Sequence, residues 1–123
     1  MSTLLAPAPN AREDRRGLSY PHGRFVPDPA TLFAVAEGVF WLRLPLPFSL
    51  NHVNLWVLDD GDGLAIVDTG LNTDAAKAVW ETLFAGPLKG RPVRRVIVTH
   101  YHPDHLGLAG WLCVTGSLGE MLV

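Results

Sequence analysis

The sequence has 123 residues, of which 48% are hydrophobic and 18% charged, a balance typical of one globular domain. Its 10 Lys and Arg residues and 12 Asp and Glu residues give a formal net charge of −2. No bulk field therefore draws the chain to nucleic acid or to an anionic membrane. We expect a small-molecule substrate, with no nucleic-acid or membrane partner.

The cysteine content and the N-terminus indicate a compartment. The single cysteine, Cys113, excludes an intramolecular disulfide and a cysteine-based zinc framework. We interpret it as a small hydrophobic residue of a helix. No basic run precedes the first apolar residues, and Pro7 and Pro9 interrupt them, so this stretch predicts neither a signal peptide nor a membrane span. A cytoplasmic location is the default expectation.

Composition divides the chain into three parts. Residues 1–34 hold five of the ten prolines and no sustained period, which predicts an irregular N-terminal segment. His22 in this segment is expected to be a solvated loop histidine. Residues 35–113 form the predicted domain, and residues 114–123 an atypical tail.

The domain begins with β-type patterns. Short strands are predicted around Val35 to Leu44, with a turn at Glu37 and Gly38 and breaks at Pro45 and Pro47. The stretch "HVNLWVLDDGDGLAIVDTG" predicts a hairpin that turns between Asp60 and Gly63. His52, at the start of this hairpin, is expected to be a packed or solvated side chain.

The following segments alternate between helix and strand. Apolar residues recur at helical spacing through "LNTDAAKAVWETLFAGP", which predicts a helix from about Thr73 to Ala85, capped by Asn72 or Thr73. The stretch "VIVTH" predicts a buried strand and "PDHLGLAGWLC" a second helix. The basic loop "KGRPVRR", which lies between the first helix and "VIVTH", is interpreted as a solvated connection rather than a phosphate site. This order predicts an α/β fold.

The stretch "VTHYHPDHLG" places three of the five histidines and an aspartate within six positions. Alternate side chains of an extended segment share a side, so His100 and His102 are predicted to face one point. Pro103 suits the first position of a helix, which puts Asp104 and His105 in its first turn. Imidazole and carboxylate are usual zinc ligands, and two ions about 3.5 to 4 Å apart can share one hydroxide. The cluster therefore predicts half of a two-metal hydrolytic site.

A second pattern, "AIVDTG", ends an apolar strand with Asp68 and a tight turn at Gly70. Asp-Thr-Gly is also the active-site triplet of aspartic proteases. Those proteases are nearly all β, whereas a strong amphipathic helix follows here, and their usual Ser or Ala after the glycine is Leu71. The protease reading also leaves the histidines unexplained, so we set it aside.

Together "THYHPDH" and "VDTG" resemble the metallo-β-lactamase superfamily over roughly residues 35 to 112. The resemblance implies that His100 and His102 bind a first metal and that Asp104 and His105 bind a second. Asp104 would also shuttle protons where that second metal is absent. Asp68 would support the ligand loops through hydrogen bonds without binding metal.

The same resemblance implies a cofactor, a fold and a reaction class. The cofactor would be one or two zinc ions, with iron or manganese as alternatives. The fold would be the N-terminal half of a four-layer αβ/βα sandwich. In the implied reaction, metal-bound hydroxide attacks an ester, thioester, lactone, lactam or phosphodiester.

The resemblance also implies ligands that this sequence does not contain. Superfamily members take further histidines and a bridging aspartate from the second half of the fold, whereas residues 106–123 contain neither residue type. Gly116 and Gly119 interrupt the helical period, so neither a continued helix nor a following strand is predicted after about Val114. We therefore expect a truncated or frame-changed chain. The alternative to an enzyme is an inactive half-domain that binds metal weakly or pairs with another chain, including itself, through an open sheet.

Overall fold

The computed structural model describes residues 12–13, 16–28, 30–115 and 120–122. The strands, in chain order, are β1 (Arg12–Glu13), β2 (Ser19–Tyr20), β3 (Phe33–Ala36), β4 (Val39–Pro45), β5 (His52–Asp60), β6 (Gly63–Val67), β7 (Val93–Ile97) and β8 (Glu120–Leu122). The helices are α1 (Asp74–Ala85), α2 (Pro103–Leu106) and α3 (Ala109–Thr115). Within the described residues, no helix is long and apolar enough to cross a membrane.

Strands β3 to β8 form one mixed sheet in sequence order, and β1 pairs with β2 in a separate two-stranded ribbon. Neighbours from β3 to β6 are antiparallel, whereas β6, β7 and β8 run parallel. Parallel neighbours need crossover connections, which α1 supplies between β6 and β7, and α2 with α3 between β7 and β8. The carboxyl ends of β6 and β7 therefore meet at one edge of the sheet, the usual place for a site in α/β proteins. The predicted α/β class is confirmed.

Helix α1 follows the predicted residues closely. Thr73 has an extended backbone, and its hydroxyl accepts a hydrogen bond from the Ala76 N–H at 3.1 Å, so Thr73 rather than Asn72 is the cap. Ala76, Trp80 and Leu83 are fully buried, which places the predicted apolar face on the sheet.

The two faces of the sheet differ in how completely other elements pack against them. One face packs against α1 and α3 and holds the core. Burial of each apolar side chain there stabilises the fold by about 1.5–3 kcal/mol. Core residues from both layers are Leu42, Leu44, Leu55, Val57, Leu64, Ile66, Val96, Trp80, Leu83, Leu108 and Leu112. Alternation along the strands puts Trp41, Trp56 and Leu58 on the other face, where they are only partly buried. We call this second face, part of which is covered by the His22 and Phe25 rings, the open face.

His22 is packed against aromatic rings, so the expectation of a solvated loop histidine is wrong. Its ring meets Phe33 edge-on at 5.3 Å between centroids, and it lies 6.4 Å from Trp41. Its Nδ1 atom is buried and has no hydrogen-bond partner within the described residues. Residues 1–11 of the predicted N-terminal segment lie outside the described residues.

The arginines of the basic stretch, two of which lie in β7, remain partly exposed and form ion pairs with carboxylates of the β5–β6 hairpin. Arg91 pairs with Asp59 at 2.8 Å, Arg95 pairs with Asp60 at 2.9 Å, and Arg94 pairs with Asp62. The last pair is exposed, and the hydrogen bond and positive charge of Arg94 lower the pKa of Asp62. All three arginines thus hold the β5–β6 hairpin against the start of β7.

Two predictions near the C-terminus are wrong. The stretch "PDHLGLAGWLC" forms two short helices, α2 and α3, instead of one. A further strand, β8, follows α3 and pairs in parallel with β7, with Val96 opposite Met121. Residues 116–119 of the predicted tail lie outside the described residues.

His52, at the start of β5, provides a pH test of the fold. Desolvation, followed by the positive charge of Arg43, lowers its pKa from the ordinary value of 6.5. Below pH 6.5 the unfolded chain therefore binds more protons at this histidine than the folded chain does. The contribution of His52 to the free energy of unfolding is fully present above pH 6.5 and is lost as pH falls. We expect the free energy of unfolding of the wild type to fall more than that of His52→Gln between about pH 7.5 and 5.5. Urea unfolding at both pH values measures this difference, and parallel pH profiles for the two chains would contradict it.

Candidate metal centre

The candidate site lies where β6 and β7 end. Asp68 and Thr69 directly follow β6, while Thr99 and His100 follow β7 after one intervening residue. Helix α2 then carries Asp104 and His105. The parallel pairing of β6 and β7 brings these separate stretches of sequence to one edge.

The structure places the four predicted ligands as a series of neighbouring pairs. The His100 ring lies 4.8 Å from the His102 ring and 3.8 Å from the His105 ring, measured between centroids. His105 Nε2 lies 3.6 Å from Asp104 Oδ2. His100 and His102 are exposed, whereas Asp104 and His105 are partly buried.

The backbone reason for this convergence differs from the predicted one. His100 and His102 lie in a bend after β7 rather than in an extended strand, so strand alternation does not align them. Instead, His102 has φ −60° and ψ 142°, the conformation that a following proline imposes, and Pro103 then starts α2. The bend folds the chain back so that the His100 ring lies beside both the His102 ring and the His105 ring.

Asp68 connects the two strand ends. Its backbone has φ 65°, which is uncommon for any residue but glycine and tolerated better by Asp than by most. Its Oδ1 accepts from the Thr99 N–H at 2.8 Å, and its Oδ2 from His105 Nδ1 at 2.8 Å. The Thr99 hydroxyl lies 2.8 Å from Oδ2. These are the hydrogen bonds expected of a residue that supports ligand loops, and its role toward a metal stays a prediction.

Thr69 is a positioning residue that the sequence alone did not reveal. It is fully buried, its N–H donates to the His105 carbonyl at 2.9 Å, and its hydroxyl lies 2.8 Å from the same oxygen. The hydroxyl oxygen also accepts from the Leu108 N–H at 3.0 Å. This side chain occupies the junction of α2 and α3, which explains why the helix breaks there.

Trp80 links this junction to α1. Its indole N–H donates to the Thr69 carbonyl at 2.9 Å, inside the core. A buried indole N–H needs an acceptor. Because Trp80 lies on the predicted buried face of α1, the sequence did indicate that its N–H has a hydrogen-bond partner, although not which one. The packing of α1 thus fixes the backbone that holds His105.

The donors fit a metal in kind but not in number. Imidazole nitrogens and a carboxylate oxygen are ligands that zinc accepts, and they are gathered at one edge. Among the described residues, however, no three His, Cys, Asp or Glu side chains are grouped so that they could hold one ion. The arrangement thus supplies partial donor sets that further ligands would have to complete.

Comparison with known proteins places this site in a family. A model of the metallo-beta-lactamase superfamily matches residues 49–121, more than half of the chain. The chain is 40% identical over 73 residues to the probable metallo-hydrolase YqjP of Bacillus subtilis, covering 58% of this chain and 23% of that protein. The chain therefore belongs to the metallo-beta-lactamase superfamily and is hydrolase-like.

Solved structures agree with this assignment. A beta-lactamase domain protein from Burkholderia ambifaria matches 84% of this chain with a TM-score of 0.75 and 49% identity, and this chain covers 34% of it. The metallo-beta-lactamase FIM-1 from Pseudomonas aeruginosa, solved in a mono-zinc form, matches 74% of the chain with a TM-score of 0.55 and 26% identity, and 41% of FIM-1 is covered. The fold is a partial metallo-beta-lactamase fold, as predicted, and the chain spans less than half of the length of these relatives.

Gly107, between α2 and α3, gives a stability test of the site's backbone. A Cβ at this position would lie 2.5 Å from the Pro103 carbonyl oxygen and 2.9 Å from the Asn72 nitrogen. Because both atoms are backbone, Gly107→Ala should lower the free energy of unfolding by about 1–3 kcal/mol. Gly110, inside α3, has open space around it, so Gly110→Ala should be neutral or stabilising by up to about 1 kcal/mol. Chemical denaturation of both variants measures the contrast, and equal effects would contradict this account.

Proposed function

We propose that this chain carries the N-terminal part of the catalytic site of a metal-dependent hydrolase. His100 and His102 are assigned to a first metal, and Asp104 and His105 to a second. The observation that carries the proposal is the pairwise contact of three imidazoles and a carboxylate where two parallel strands end. The proposed cofactor is one or two zinc ions, with iron or manganese as alternatives.

A bound zinc would supply Lewis-acid activation of water at neutral pH. The proposed reaction is hydrolysis of an ester, thioester, lactone, lactam or phosphodiester in a small-molecule substrate. In this assignment His105 donates through Nδ1 to Asp68, so its Nε2 lone pair is available to a metal. The near-neutral composition and the single cysteine support a cytoplasmic site of action without a nucleic-acid or membrane partner.

Asp104 is assigned a second role as a proton carrier. Its carboxylate is partly exposed, and Oδ2 lies 3.6 Å from His105 Nε2. A carboxylate so placed can accept a proton from a reacting group and can exchange protons with solvent. This role applies where the second metal is absent.

A second candidate is a half-domain without activity of its own that pairs with another chain or with a second copy. The open face favours it, because Trp41, Trp56 and Leu58 are only partly buried there. The chain also spans 23% of the B. subtilis relative and 34% of the Burkholderia one. A sheet face of this kind is usually covered by a further layer.

Zinc titration tests the proposed ligands. The chain should bind zinc more weakly than a site with three protein ligands, because each proposed metal has only two here. His102→Ala should weaken binding by at least about 10-fold, whereas His52→Ala, which removes a histidine of β5, should leave it unchanged. Isothermal titration calorimetry of the three chains measures the affinities. Absent binding, or equal affinity in all three chains, would refute the ligand assignment.

Activity assays test whether the chain is an enzyme by itself. The chain alone should show no appreciable hydrolysis of a chromogenic ester or a β-lactam, since activated water must be held in a preorganised cleft beside the substrate. The matched comparison is wild type against His102→Ala, each with and without added zinc. Zinc-dependent turnover that disappears in His102→Ala would show that the chain is a sufficient enzyme by itself.

A further inference from the structure

We propose that Thr99 is a positioning residue that fixes the tautomer of His100 by relaying a hydrogen bond from Asp68. This inference rests on the proposed metal-binding function, since its consequence is which ring nitrogen His100 offers to a metal. In this relay Thr99 donates its hydroxyl proton to Asp68 and accepts the Nδ1 proton of His100. The His100 Nε2 lone pair is thereby directed to the cluster.

The first step is the geometry of the hydroxyl. Thr99 Oγ1 lies 2.8 Å from Asp68 Oδ2, 3.0 Å from Asp68 Oδ1 and 2.9 Å from His100 Nδ1. A hydroxyl has a single proton to donate and can accept two hydrogen bonds. It can therefore donate either to Asp68 or to His100, but not to both at once.

The surroundings of Asp68 decide between these choices. Its carboxylate already accepts from the Thr99 N–H through Oδ1 and from His105 Nδ1 through Oδ2. An ionised carboxylate accepts hydrogen bonds and donates none, so the Thr99 hydroxyl proton points to Asp68. The contact between Thr99 Oγ1 and His100 Nδ1 is then a hydrogen bond only if His100 carries its proton on Nδ1.

One carboxylate thus orients two imidazoles that are assigned to different metals. His105 donates Nδ1–H to Asp68 directly, and His100 does so through Thr99. In both rings the free lone pair is then on Nε2, because the partner of one ring nitrogen sets the state of the other. Partners of this kind typically change metal affinity by 10–100-fold when removed.

Substitutions of Thr99 can separate the effect of its hydroxyl from the effects of its backbone N–H and its methyl group. The bond from the Thr99 N–H to Asp68 Oδ1 is made by the backbone, so it survives any side-chain change. Thr99 is exposed, so valine, which keeps the shape and loses the hydroxyl, replaces it without burying a new group. Serine keeps the hydroxyl and loses the methyl group.

The test is the tautomer of each histidine, read by nitrogen-15 NMR of histidine-labelled chain without metal at about pH 8, where ordinary imidazoles are neutral. In the wild type, His100 and His105 should both carry the proton on Nδ1. Thr99→Val should move His100 toward the Nε2-protonated form, and Thr99→Ser should retain the wild-type state. His105 should not change in either variant, which makes it an internal control. Thr99→Ala provides a second hydroxyl-free chain should the valine variant fail to fold.

Zinc calorimetry on the same chains gives the second readout. Thr99→Val should bind zinc about 10-fold more weakly than the wild type, and Thr99→Ser should bind within about 2-fold of it. An Nε2-protonated His100 in the wild type, or an unchanged His100 tautomer in Thr99→Val, would overturn the relay. A simultaneous change at His105 would also overturn it, because that indicates general distortion. If the tautomers behave as stated but no chain binds zinc, the relay stands and the proposed metal function fails.

Discussion

The hydrogen bonds of Asp68 are the constraint on which the rest of this site depends. The residue follows β6, adopts a positive φ, and reaches across to the segment after β7 and to α2. A non-glycine residue in that region of φ and ψ costs about 1–3 kcal/mol. Hydrogen bonds to a charged group contribute about 1.5–3 kcal/mol each, and Asp68 has several, so the network offsets the strain. The carboxylate is thereby held almost fully buried behind the exposed imidazoles.

Sheet topology is what makes this network available. Antiparallel neighbours place the end of one strand beside the start of the next, whereas β6 and β7 are parallel and end together. The α1 crossover that permits this also supplies Trp80, whose indole N–H holds the Thr69 carbonyl. Thr69 in turn binds the backbone at both ends of the α2–α3 junction. The packing of α1 in the core is therefore connected to the backbone of His105 by the hydrogen bonds of Trp80 and Thr69.

The sequence predicted the features that short-range patterns determine. The periodicity and cap of α1 lie within a dozen residues, and the hairpin turn between β5 and β6 lies within four, so both were placed correctly. The cluster from His100 to His105 was predicted to converge because alternate side chains of an extended segment share a side and Pro103 starts the next helix. Its convergence is visible in the structure, although a bend rather than a strand produces it.

The features that sequence analysis missed depend on partners far apart in the chain. The Thr69 hydroxyl meets Leu108 from 39 positions away, and this contact breaks the helix that local periodicity predicted as continuous. The relay from Asp68 to Thr99 spans 31 positions, and the pairing of Arg95 with Asp60 spans 35. Such contacts are set by the sheet register and have no local pattern. The hydrogen bonds within the site are also unevenly distributed. His105 is held through both its carbonyl and its ring, whereas His102 is held through its carbonyl, which accepts from the His105 and Leu106 N–H groups. The ring of His105 is thus oriented by a buried carboxylate, and this orientation depends on a contact 37 positions away in the chain.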